Sequence, residues 1–487
     1  MSIDAALRHD QLFIGGGWVA PQSSRRIPVA SASTEEDIGS VPDGVEADVD
    51  AAVDAARAAF DDPSGWAHWE PTQRAEALER LAAIQDMRAD EFARRVSMQN
   101  GMPIAISRQF EAVFPAVLMR YYADLIRATQ TCELRRGLLG GQVSVDRKPI
   151  GVVGAIVPWN FPQALTAFKL APGLAAGNTF VIKPSPETVL DAFLLAECIE
   201  EAGFPAGVVN IVPGGRELGA YLVSHPRIDK VAFTGSTAAG RHIAEACGRL
   251  LRPVTLELGG KSAAIVLDDA DLLGSVKNLF GATLLNNGQT CYLGTRVLAP
   301  RSRYDEVVDV VSGLAGSLRV GDALDEATQI GPMSTSTHRD RVESYIAKGR
   351  DEGARITVGG GRPGGRGWFV EPTVFAEVDN SHTIAREEIF GPVLAVIPYD
   401  GDDEAVAIAN DSDFGLGGSV WGTDIDRAGA VARRIHTGSI GINHYMIDPV
   451  APFGGVKSSG IGRELGPEGL AAYQQIQTVY VTPPTAV

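Results

Sequence analysis

Cysteine and histidine are scarce in this chain, at four and eight in 487 residues. Cys132, Cys198, Cys247 and Cys291 form no C-x-x-C pair and no regular framework. This excludes a disulfide-stapled scaffold and points to a reduced, intracellular setting. The histidines are scattered without H-E-x-x-H or comparable spacing, so no metal site is expected. Positive charge is also short, since 43 Lys and Arg against 60 Asp and Glu leave a net charge of −17. That argues against a broad basic surface for nucleic acid or anionic lipid. No apolar run is long enough to span a bilayer, because glycine, proline and polar residues interrupt each candidate. The N-terminal segment carries acids and no uninterrupted apolar stretch, so no secretory leader is expected. The expectation is a soluble, cytoplasmic protein without membrane or nucleic-acid partners.

What is present is core-forming material, with 45% hydrophobic and 21% charged residues. At about 150 residues per domain the length suggests two or three domains. A Gly-rich hairpin is expected at Phe13 to Trp18, and the next hundred residues read mostly as helix, with Val49, Val53, Ala56 and Phe60 at helical spacing. From Gly151 the pattern changes. Short apolar runs (VVGAIVP, FVIKP, VVNIVPG, KVAFTG, VTLELGG) alternate with amphipathic helical stretches, which predicts a doubly wound parallel sheet covered on both faces. A second alternating series starts near Lys261 and predicts a second α/β unit. The segments QVSVDRKPIGVV and QTVYVT read as strands outside both series.

Gly359, Gly361 and Gly364 satisfy G-x-G-x-x-G, but Pro363 and more glycines follow and WFVEPTVF reads as extended, so a surface loop is expected there rather than a dinucleotide fingerprint. In KVAFTGSTAAGRHI a strand ends at Phe233, Gly235 permits a tight turn, and Ser236 or Thr237 can cap the next helix. That helix start suits a pyrophosphate, and an ordinary capped βα turn reads equally well. Lys183 ends a strand at the carboxyl edge where open α/β sheets bind ligands; the plain alternative is a lysine emerging into solvent. Cys291 follows a helix with Leu272, Leu273, Val276, Leu279, Phe280 and Thr283 on one face, broken by the turn Asn286-Asn287-Gly288. A loop cysteine there is a nucleophile candidate, whereas a cysteine taken alone is more often inert core. Glu257 is an acid in an apolar strand, suited to general-base work or to a buried ion pair with Lys261. Asn160, between Trp159 and Phe161, offers an amide to an oxyanion or closes its own turn.

Together these segments resemble the NAD(P)-dependent aldehyde dehydrogenase superfamily over nearly the whole chain. The resemblance is carried in order by PWNFP at 158–162, KPSPET at 183–188, FTGST at 233–237, LELGGK at 256–261, NGQTC at 287–291, EEIFGP at 387–392 and PFGGVKSSGIGRELG at 452–466. It implies a Rossmann-like cofactor domain (1–126 and 149–258), a catalytic α/β domain (259–469), and a small β flap for oligomerisation (127–148 and 470–487), hence a homodimer or homotetramer. It implies Cys291 as nucleophile, Glu257 as general base and Asn160 as oxyanion donor, with the Cys291 backbone N–H as companion. Cofactor contacts are implied for Ile156, Pro158, Trp159, Lys183, Gly214, Phe233, Thr234, Gly235, Ser236, Leu258, Glu388 and Phe390.

The cofactor expected from the resemblance is NAD, with NADP also open to it. Many NAD-preferring members carry Glu three residues after the lysine, and here that residue is Pro186, followed by Glu187. For the aldehyde, Phe161, Ala164, Leu165, Phe168, Thr290, Tyr292, Tyr445, Met446, Ile447 and Phe453 are expected to form a mostly apolar wall, with core packing the bland alternative. The reaction expected is hydrolytic oxidation of a hydrophobic (aliphatic, aromatic or terpenoid) aldehyde to its acid through a cysteine thiohemiacetal and thioester. The alternatives are a semialdehyde or amino-aldehyde dehydrogenase, or a non-catalytic structural or binding relative.

Overall fold

The computed structural model describes residues 7–481; the expectations for 1–6 and 482–487 lie outside them. The five apolar runs from Gly151 onward form parallel strands, in spatial order Val254–Glu257, Lys230–Thr234, Val152–Ile156, Thr179–Lys183 and Val209–Ile211. The chain order reverses between the strands at 152 and 230. Such a switch point opens a crevice at the carboxyl ends of the strands. Val152–Ile156, Thr179–Lys183 and Lys230–Thr234 are buried along their whole lengths, as a sheet covered by helices on both faces requires. Antiparallel strands finish both edges. The Leu12–Ile14 and Gly17–Val19 hairpin pairs Phe13 with Trp18 on one side, and Gly460–Ile461 pairs with Leu256 and Glu257 on the other.

The second series also folds as expected, into Ala263–Val266, Arg296–Pro300, Thr373–Ala376, Val393–Tyr399, Ser419–Trp421 and Gly441–Ile442, all parallel. Arg355–Val358 adds an antiparallel edge. Gly359, Gly361 and Gly364 lie in the connection between the antiparallel strands Arg355–Val358 and Thr373–Ala376, so no helix follows them. Cys132–Arg136, Gln142–Pro149 and Gln474–Val481 make a separate antiparallel sheet.

Two details differ from the sequence reading. The hundred residues after Trp18 are mostly helical, as read, but not from their start. Arg26–Ala30 and Asp37–Pro42 pair as strands before the helices Glu46–Asp61, Pro71–Met87 and Ala89–Asn100 begin. In the helix Leu272–Thr283, Leu272, Leu279 and Thr283 are buried but Leu273 is 77% exposed. A one-residue step turns a helical side chain by about 100°, off the inward face.

Candidate active site

Cys291 is carried by a loop that side chains hold in place. After the helix Leu272–Thr283 the chain turns through Asn286 and Asn287 at φ +50° and +61°, a region asparagine tolerates better than most residues. Gly288 follows at φ +74°, where an added Cβ would lie 2.1 Å from the Gly391 carbonyl oxygen. Asn287 Nδ2 donates to the carbonyls of Gly101 and Pro332 at 2.9 and 3.0 Å, and its Oδ1 accepts from Gly331 N–H. Gln289 Oε1 accepts from Ser334 N–H at 3.0 Å. Asn160 Nδ2 donates to the Gln289 carbonyl at 3.0 Å, and Asn286 Nδ2 donates to the Asn160 carbonyl at 3.0 Å. The amide of Asn160 therefore bridges to the cysteine loop instead of closing its own turn, and its second N–H remains free.

Cys291 is half-buried and lines two cavities. The first, about 730 Å³, is walled by Pro158, Trp159, Asn160, Thr234, Gly235, Ser236, Leu258, Glu388 and Phe390, with His338 and Arg341. Ser236 caps the helix Thr237–Arg249 by accepting from Ala239 N–H, leaving the helix start directed at this cavity. Glu388 Oε1 accepts from Gly260 N–H at 3.0 Å, and burial raises its pKa to about 7. Phe390 sits at φ +63°, its ring edge-on to Trp159 at 5.4 Å and its carbonyl 2.7 Å from His338 Nε2.

A further cavity of about 1140 Å³ lies between the helices Arg216–Ser224 and Thr237–Arg249, lined by Ile156, Lys183, Phe233, Val223, Ile243 and Ala246 among others. Phe233 faces this space while Thr234 to Ser236 face the first, so the two lie on either side of one strand end. Lys183 does not emerge into solvent. It is 6% exposed, and its Nζ donates to the carbonyls of Gly214 (2.7 Å) and Pro184 (3.1 Å), while burial lowers its pKa to about 8. Gly214 serves here as the acceptor that aims Lys183, and its neighbour Gly215 lines the cavity.

The second cavity at Cys291, about 490 Å³, is an aromatic box. Phe161, Ala164, Leu165, Phe168, Thr290, Tyr292, Ile447 and Phe453 line it, joined by Asn160, Phe110 and Phe114, while Met446 does not. Tyr445 is not in this wall. It stands behind Tyr292, rings edge-on at 4.9 Å, with its hydroxyl bonded to Ser439.

Glu257 is 3% exposed, and neither carboxylate oxygen has a hydrogen-bonding partner. It is not paired with Lys261. Burial raises its pKa well above the carboxylate range, and the charge of Glu464 pushes the same way against Lys169. Burial, then the charges of Glu388 and Glu257, raise the Cys291 thiol in turn. Orphaned buried carboxylates are rare outside sites where they do work. Beneath Glu257, Lys169 Nζ meets Glu464 Oε1 at 2.8 Å and Thr234 Oγ1 at 2.6 Å, both ionic side chains only 1% exposed.

A model of the aldehyde dehydrogenase family matches residues 18–479. The chain belongs to that family. Among relatives of this aldehyde dehydrogenase, geranial dehydrogenase of Castellaniella defragrans is 57% identical over 99% of this chain and 100% of its own. An aldehyde dehydrogenase of Mycobacterium tuberculosis, solved with NAD+, superposes with a TM-score of 0.96 at 48% identity, covering 99% of this chain and 100% of that one. An aldehyde dehydrogenase C variant of Pseudomonas syringae, solved with NAD+ and octanal, gives 0.94 at 40% identity and 98% coverage of both chains. The protein is thus an NAD(P)-dependent oxidoreductase acting on aldehydes.

Sequence reasoning about this dehydrogenase missed Phe110 and Phe114, which sit inside a stretch read as generic helix. It also missed Lys169 and Glu464. One signal was present, since Lys169 is the lone charge in the apolar helix Pro162–Ala176. Its partner lies 295 residues away.

Proposed function

We propose that this enzyme oxidises hydrophobic aldehydes to carboxylic acids with Cys291 as nucleophile, Asn160 as oxyanion donor and Glu257 as general base. The observation that carries the reading is the position of Cys291 and Asn160 in the shared wall between a cavity with polar anchors and an aromatic box. NAD(P) fits the polar side. Lys183 has one N–H left for a ribose hydroxyl, the apolar slot beyond it suits an adenine, and the Ser236-capped helix start suits a pyrophosphate. Glu388 Oε2, the oxygen not bonded to Gly260, is available to the second ribose.

The resting thiol is neutral, because burial and nearby carboxylates oppose its ionisation. Cys291 gives up its proton to solvent, the one released in the overall balance, and the thiolate adds to the carbonyl carbon, the resulting oxyanion being held by Asn160 Nδ2 and the Cys291 backbone N–H. Bound NAD(P) supplies the acceptor for the hydride this carbon gives up. Glu257 then takes a proton from water as the water attacks the acyl carbon, and the thiolate leaves. The balance is aldehyde, water and oxidised nucleotide to acid, reduced nucleotide and a proton.

No Lys, Arg, Asp or Glu lines the aromatic box. A second carboxylate or an ammonium on the substrate would enter it without a partner, at a cost that disfavours semialdehydes and amino-aldehydes. The three-stranded sheet, with Leu134, Ile476 and Tyr480 exposed at 66%, 62% and 79%, is assigned to assembly into a homodimer or homotetramer. The two larger sheets are assigned to cofactor and catalytic domains divided near residue 258. Among the described residues no helix is long and apolar enough to cross a membrane, and free cysteines support the cytoplasm as location.

The test is a kinetic comparison of octanal with succinate semialdehyde, read as reduced nucleotide formed. Octanal is expected to be favoured by about 100-fold in kcat/KM, and Cys291→Ala to lose about 10⁴-fold in kcat. Comparable turnover by the variant would remove the nucleophile, and preference for the semialdehyde would remove the substrate class.

A further inference from the structure

We propose that Glu111 is a positioning residue that sets the width of the aromatic box, acting as a remote cap that joins its two walls. This rests on the assignment of that box to the aldehyde. One wall is the helix Pro162–Ala176, which carries Ala164, Leu165 and Phe168 and begins directly after Phe161. Its N-cap position is Phe161, whose side chain has no oxygen to accept the free N–H groups of the first turn. The acceptor comes instead from another element. Glu111 Oε2 takes the Gln163 N–H at 2.7 Å.

Glu111 stands in the opposite wall. It lies in a π-helical turn, Arg108–Val113, between the helices Ile104–Ser107 and Phe114–Ala128. Such turns are frequent at functional sites. Phe110 and Phe114, flanking Glu111, both line the box. The Phe110 ring meets Phe161 edge-on at 5.8 Å, and Phe114 meets Phe168 at 6.0 Å. One carboxyl therefore ties the walls together between two cross-wall aromatic pairs. The Gln163 side chain is fixed as well, donating to Asp191 Oδ2, while Asp191 Oδ1 accepts from Gln99 Nε2 at 3.0 Å.

Glu111 is 1% exposed, and its second oxygen has no partner. A methionine of similar volume would avoid that desolvation. The carboxyl therefore contributes something packing alone would not, and the geometry assigns that contribution to the spacing of the phenylalanines.

The experiment compares Glu111→Met, Glu111→Gln and Phe114→Ala with the wild type, each assayed with NAD and two aldehydes, geranial and acetaldehyde. Glu111→Met, which keeps the volume without the acceptor, is expected to lower the geranial-to-acetaldehyde ratio of kcat/KM about tenfold through the geranial KM, leaving kcat with acetaldehyde and KM for NAD within about twofold. Glu111→Gln, whose amide oxygen can accept the same N–H, is expected to keep the wild-type ratio. If Glu111→Met is insoluble, Glu111→Ala takes its place with the same expectation. An unchanged ratio, an equal fall for both aldehydes, or a Gln variant as impaired as the Met variant would overturn the proposal. Phe114→Ala separates the two levels. If it shifts the ratio and Glu111→Met does not, the clamp alone fails; if Phe114→Ala does not shift it either, the box is not the aldehyde site and the clamp falls with it.

Discussion

The two cavities that meet at Cys291 are built on opposite principles. On the side proposed for the cofactor the anchors are a half-buried carboxylate and a helix start, with a buried lysine in the adjoining cavity, each already held by the protein itself: Glu388 by the Gly260 N–H, the helix by the Ser236 side chain, Lys183 by the Gly214 carbonyl. On the side proposed for the aldehyde the lining is aromatic and aliphatic side chains with one amide, the hydroxyls of Thr290 and Tyr292, and the thiol. Directional groups fix a ligand of constant shape. Apolar surface rewards bulk with little regard to direction, so it accepts a range of chain shapes. The comparison predicts an enzyme strict about its nucleotide's pose and permissive about its hydrophobic aldehyde.

The largest effect expected lies at the junction of the two sides. Glu257→Gln removes the proposed base, which that reading needs only after reduced nucleotide has formed. Steady-state turnover should fall by about 10²–10³-fold while one equivalent of reduced nucleotide still appears as a burst, with the acyl group found on Cys291 by mass spectrometry. A variant with no burst would mean that Glu257 acts before the two sides have exchanged anything.

Next come substitutions confined to one side. Ile447→Lys puts a charge in the box and should raise the octanal KM about tenfold while leaving that of NAD within twofold. Lys183→Met should do the reverse. If each variant disturbed both constants, the separation of the cavities would not be functional.

The smallest effect concerns the thiol. The Glu388 charge opposes ionisation of Cys291, and with a pKa of about 7 Glu388 is mostly charged at pH 8 and mostly neutral at pH 6. Glu388→Gln should therefore speed alkylation of Cys291 by iodoacetamide about threefold at pH 8 and hardly at all at pH 6. An equal acceleration at both pH values would remove the electrostatic link.

The parallel strands from Val152 to Glu257 were legible because burial on both faces leaves unbroken apolar runs with turns between them. Arg26–Ala30 and Asp37–Pro42 were not, since short strands containing proline and glycine carry little periodic signal. The aldehyde box was legible where a motif marked it, as at Phe161 and Thr290. Phe110 and Phe114 were hidden because a π-turn decides their direction, and helical spacing cannot foretell one. Tyr445 was placed one layer too far forward, because proximity to the site in sequence does not distinguish a lining ring from the ring that supports it. The buried pair of Lys169 and Glu464 depends on tertiary folding alone.

The pairing of Glu257 with Gly460 has a consequence for biosynthesis. The strand that bears Glu257 keeps an open hydrogen-bonding edge until residues 460 and 461 have left the ribosome and reached it, more than two hundred positions later. Over that interval the nascent chain exposes a bare β edge, the kind of surface that recruits neighbouring chains into aggregates. Truncations ending before 460 should therefore precipitate rather than accumulate as a free fragment carrying the first sheet, which makes the final stretch of the polypeptide a guardian of that sheet.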